Sequence, residues 1–186
     1  MRWLLAVLLA PLFLAPSANA QTINMHFQPD DDRQVVSLVV HAIQELSSIP
    51  EMQDVTVGSK RLALDVYAEA GDGEIMLNTV YTSHRALNNM MANDVAQGFH
   101  PKLGRCSAEE FLTFHESAHV IDGRKGNRPS DDLSKKYGTG RGLALSGYSF
   151  SSGELNPREA LAEGFAAAMC NGGNSVERDI YGMVVE

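Results

Sequence analysis

No run of this sequence is apolar for long enough to cross a membrane. The longest, Trp3–Leu14, is broken by Pro11, and a span needs about 20 apolar residues. It follows Arg2 and precedes Ala18-Asn19-Ala20, a small-x-small cleavage pattern. Residues 1–20 therefore read as an export leader cut after Ala20, and the mature chain is expected to be secreted or periplasmic. Basic residues are scarce as well. Arg2 is the one charged residue of the leader, so the rest carries 14 basic against 23 acidic residues. That balance argues against nucleic acid and anionic membranes as partners. Cysteine is limited to Cys106 and Cys170; in an exported protein an even pair suggests one disulfide. There is no internal repeat, low-complexity tract or clear linker, so residues 21–186 are expected to form one domain. Oligomeric state is not fixed by any of these features.

Hydrophobic spacing suggests an α+β order. Residues 21–29 show no clear period. Three aspartates, Asp30 to Asp32, then precede a helix whose apolar stripe is Val35, Leu38, Val39, Ala42, Ile43 and Leu46. "RLALDVYAE", 61–69, alternates as a strand. "GDG" reads as a turn and "EIMLNTVYTS" as a second strand, giving a hairpin. "RALNNMMANDVAQG" reads as a helix, with Met90 and Met91 as core filler. Ser107 and Glu110 match a capping box ahead of another helix, with Gly123 as its stop. A short helix is expected near Asp131–Lys136. Asn156-Pro157 opens a long one through Cys170, and a last short helix follows Gly173.

The helix after Ser107 carries "FHESAHVID", residues 114–122. His115 and His119 are four apart and share a helix face, so both imidazoles can reach one ion. Neutral imidazoles suit zinc, whose catalytic sites take three protein ligands and keep a position for water. Glu116 sits about 100° around the helix from His115. A carboxylate there can take the water's proton without ligating the metal. Shuffling this composition produces the pattern in about one chain in a hundred, so the helical context matters.

A third ligand has to come from elsewhere. A histidine six residues beyond His119 would fall on Lys125, which cannot ligate zinc. "NPREALAEGFAAAMC", 156–170, offers Glu159 and Glu163 one turn apart, amid small residues that let a second helix approach. One of the two carboxylates can bind zinc while the other accepts the N–H of a ligating histidine. The spacing alone leaves open which does which, and Asn156 with Glu159 also fits a helix cap.

"HESAHVID" followed by "PREALAEGF" resembles the zinc-ligand signature of the anthrax lethal factor catalytic domain and the Pro-Pro endopeptidases. The resemblance covers residues 98–170. It implies a zincin-like fold of gluzincin type, a peptide or protein substrate and zinc as cofactor. Glu159 would be the third ligand, Glu163 the residue that orients a ligating histidine, and Phe165 the aromatic that follows. Asp122 matches the family by its place after the second histidine and would, like Glu163, support the ligands from behind. A tyrosine shortly before the ligand glutamate donates to the oxyanion in that family. Here Tyr148 fits, 11 residues before Glu159, with Tyr137 as competitor. The ligand helices run antiparallel in that arrangement, which implies that Cys106 and Cys170 meet in a disulfide. The function expected is exported zinc peptidase; the alternative is a zincin-fold module that binds zinc and a partner without turnover. Tyr81 and its strand are candidates for pairing with an extended peptide. His41 is expected to be packed, and His84 and His100 lack ligand spacing.

Overall fold

A computed structural model describes residues 22–186; the expected leader, residues 1–20, lies outside the described residues. The N-terminal half builds a sheet from four strands, β1 (Ile23–His26), β2 (Val55–Lys60), β3 (Ala68–Gly71) and β4 (Glu74–Asn78), in the order β1-β2-β4-β3. β1 and β2 are parallel, as are β2 and β4. Parallel neighbours need a crossover, and α1 (Arg33–Glu45) supplies it between β1 and β2. Asp32 caps α1 by accepting the Gln34 N–H at 2.9 Å, and Val35, Val39, Ala42 and Ile43 are its buried residues. β3 folds back antiparallel on β4 and forms an edge of the sheet.

The expected hairpin is therefore present but shorter than its sequence pattern. Leu62, Leu64 and Val66 alternate, yet residues 61–67 form a loop and Leu64 is 68% exposed. Buried Asn78 explains this. Its Oδ1 accepts the Leu62 N–H, and its Nδ2 donates to the carbonyls of Ala63 and Val66. One side chain thus satisfies backbone groups that a neighbouring strand would otherwise take. β1 and β2 had no strong signal: β1 is four largely exposed residues, and Gly58 breaks the side-chain pattern of β2 without breaking the strand. Tyr81 lies in a 3-10 turn after β4, buried, with its hydroxyl donating to the Leu64 carbonyl. It is not on a strand; the free edge nearest the site is β3.

Helices make up the rest: α2 (His84–Ala96), α3 (Ala108–Arg124), α4 (Arg128–Tyr137), α5 (Pro157–Asn171) and α6 (Ser175–Val185). A two-stranded ribbon, β5 (Phe150–Ser151) with β6 (Glu154–Leu155), precedes α5. The described chain is α+β, with six α-helices and a small mixed sheet.

α3 is the central element, buried nearly all round, as expected of a core helix. Its capping box is complete: Ser107 Oγ accepts the Glu110 N–H, and Glu110 Oε2 accepts the Ser107 N–H. It passes Gly123 and stops where Gly126 adopts φ +68°, a left-handed backbone that glycine takes without strain. α1 and β3 pack against it, and α5 makes its most extensive helix contact. The small residues of α5 serve two neighbours. Ala160, Ala162 and Ala166 are fully buried, while Gly164 faces α6, where a Cβ would stand 2.6 Å from Ile180 Cδ1. Cys106 and Cys170 are disulfide-bonded, tying the start of α3 to the end of α5. No described helix is long and apolar enough to cross a membrane.

Candidate metal centre

α5 lies against α3 so that its first turn faces His115 and His119. Asn156 caps α5 by accepting the Glu159 N–H, with Pro157 in the first turn. The Glu159 carboxylate is not used to complete that cap. Its Oε2 stands 3.3 Å from His115 Nε2 and 3.5 Å from His119 Nε2. That oxygen is buried and has no hydrogen-bond partner among the described residues. The three side chains could hold a metal ion. A tetrahedral ion with bonds of about 2.0–2.1 Å keeps neighbouring ligand atoms about 3.3 Å apart, close to both distances from Glu159 to the imidazoles.

The charges tell the same story. Burial pushes the Glu159 pKa up, but the two imidazoles outweigh it and hold the carboxyl well below its usual range. Burial pushes His115 down, but Glu159 and Glu163 outweigh that and raise it to about 10. A metal ion held there would supply the positive charge that these carboxylates face, and its binding would release any proton on the imidazole.

Glu163 lies one turn beyond Glu159 and is almost fully buried. Its Oε1 accepts from His115 Nδ1 at 3.0 Å and from His100 Nδ1 at 3.0 Å, and Ser146 Oγ donates to Oε2 at 2.6 Å. Burial raises its pKa, and the His100 and His115 bonds outweigh that and bring it to about 2. A carboxylate on Nδ1 leaves the His115 Nε2 lone pair facing Glu159 and His119. His100 and Ser146 had no recognisable spacing: loops on either side of α3 deliver them to Glu163.

Asp122 does something different from what its place after His119 suggests. Its carboxylate accepts the Ser130 N–H at 3.0 Å and the Ser130 hydroxyl at 2.8 Å, tying the end of α3 to α4. His119 Nδ1 has no hydrogen-bond partner among the described residues.

Glu116 is buried beside the pair and lines the cavities on both sides of them, about 330 and 390 Å³ in volume. Burial raises its carboxyl pKa against the pull of His115 and His119. Tyr148 lines both cavities too, its ring centroid 5.8 Å from that of His115. It is fixed by its backbone N–H on the Phe99 carbonyl at 2.9 Å. Burial, then the charges of Glu159, Glu116 and Glu163, push its phenol up to about 12, so it keeps its proton at neutral pH. Tyr137 instead donates to Asp179 on α6 at 2.6 Å.

The remaining histidines lie elsewhere. His41 is exposed rather than packed, with Nδ1 3.3 Å from Glu110 Oε1; an exposed position on α1 suits it better than the apolar stripe does. His84 pairs with buried Glu109 at 2.9 Å. Met91 is core, while Met90 lines the 330 Å³ cavity. Comparison of the chain with protein-family models, curated proteins and solved structures found no match.

Proposed function

We propose that this chain is an exported zinc-dependent endopeptidase with a zincin-like fold, in which His115, His119 and Glu159 hold the metal. The observation that carries the reading is the convergence of three ligand atoms, one of them a buried carboxylate oxygen without a hydrogen-bond partner among the described residues, beside a buried Glu116. Two imidazoles and a carboxylate suit zinc and leave room for water. When bound there, zinc would polarise a scissile carbonyl and acidify a water molecule.

The chain's own residues complete the chemistry. Glu116, its carboxyl pKa raised by burial, takes a proton from the water and passes it to the leaving amine. Tyr148 donates a hydrogen bond to the oxygen that gains charge. Glu163 holds the His115 ring in register. The cleft favours an extended chain over a terminus: along β3 one cavity reaches Val66 and Asp94, and the other Ala70 and Arg158. The unpaired edge of β3 can hydrogen-bond such a chain. A module that only bound a partner would have no need of Glu116 and Tyr148 at the metal. The disulfide, with no membrane-crossing helix among the described residues, is compatible with an extracellular location.

Metal analysis of the purified mature chain tests the site itself. One zinc per chain, removed by a chelator and restored by added zinc, is the expected result. Protein that neither carries nor takes up a divalent metal would contradict it.

A further inference from the structure

The cavity of about 330 Å³ shares His115 and Glu116 with the metal centre. Any side chain entering it would belong to a residue next to the bond being attacked. Val66, Met90 and Leu112 give it apolar walls. Leu64 and Phe99 also line it, although they are 68% and 43% exposed. Large apolar side chains held open beside a cavity mark a place where another molecule binds.

Carboxylates predominate among the charged groups of this cavity. They are Glu116, Asp65 and Asp94; His100 and His115 also line it, each bonded through Nδ1 to Glu163, and no lysine or arginine among the described residues does. Asp94 is half-buried, and its Oδ2 accepts the Tyr67 hydroxyl at 2.7 Å. The phenol is neutral and leaves the aspartate charge uncompensated. Covering that charge with an apolar side chain would desolvate it without a counter-ion, which is unfavourable. An acidic side chain would be repelled. An alkyl stem ending in a cation fits both the walls and the charge.

We propose that this cavity selects a lysine or arginine side chain next to the scissile bond, with Asp94 as its charge partner. The proposal rests on the peptidase reading and adds the class of substrate to it.

The test is a peptide library cut by the zinc-loaded mature chain. Matched peptides with lysine, norleucine or glutamate at the selected position follow. Lysine should exceed norleucine in kcat/KM by about 10–100-fold, the range of a hydrogen bond to a charged group, with glutamate worst. Asp94→Asn keeps an acceptor for Tyr67 and removes the charge, so the lysine-to-norleucine ratio should fall toward unity. Taking the ratio within each variant cancels any change in the folded fraction. Zinc-dependent cleavage that prefers apolar residues, or an unchanged ratio in Asp94→Asn, overturns the basic pocket and leaves the peptidase reading standing. No zinc-dependent cleavage of any peptide overturns both.

Discussion

Glu159 and Glu163 are one turn apart on one helix, and their surroundings separate their roles. Glu159 Oε2 faces two imidazole nitrogens and has no hydrogen-bond partner among the described residues; Glu163 accepts from three donors. On the proposed reading, removing Glu159 would delete a ligand, and removing Glu163 would free a ligand to rotate. In a competition titration against a zinc chelator, Glu159→Ala should lose most of its affinity. Glu163→Ala should weaken by about 10–100-fold, and the reverse order would mean the roles are exchanged. Tyr148→Phe should lower kcat by about 10²–10³-fold with little change in KM, because the contact is made only in the transition state. Tyr137→Phe, whose hydroxyl is spent on Asp179, is the control and should keep its turnover. At this scale the sequence was most legible where placement follows helical spacing: His115 and His119 come together with Glu159, and Glu116 is buried beside them. His100 and Ser146 were illegible because their link to Glu163 is tertiary. Asp122 was expected behind the ligands by its position, whereas its carboxylate bonds Ser130, eight residues along the chain.

α3 and α5 carry the centre between them, so the site is only as rigid as their contact. The disulfide joins Cys106 and Cys170 across a sequence separation of 64 residues. Closing such a loop is worth about 4 kcal/mol in the chain-entropy model. Replacing both cysteines by alanine should shift the urea midpoint down by a comparable free energy. Equal stability with and without the bridge would show that packing alone holds the two helices. Helices were easier to read than strands. Capping is local chemistry: the Ser107 box and the Asn156 cap form as their sequences suggest, and Asp32, one of the three acids expected ahead of α1, caps it. The strands depended on distant partners, which is why Asn78 could turn an alternating segment into a loop and why β1 and β2 passed unmarked.

Across the described molecule, a four-stranded sheet lends one edge, β3, to a cleft that α3 lines and whose candidate site residues come from α3, α5 and the loops around them. Its α+β class was legible, because long amphipathic or capped helices and one hairpin turn dominate the pattern. The arrangement of the sheet was not, because parallel pairing leaves no local mark. What the cleft does is tested most directly by zinc-loaded wild type and zinc-loaded Glu116→Gln, side by side on one peptide library. The amide keeps the size of the side chain and removes the proton acceptor, so metal content should stay the same while cleavage falls by about 10²–10⁴-fold. Equal cleavage by the two proteins, or none by either, would contradict the account.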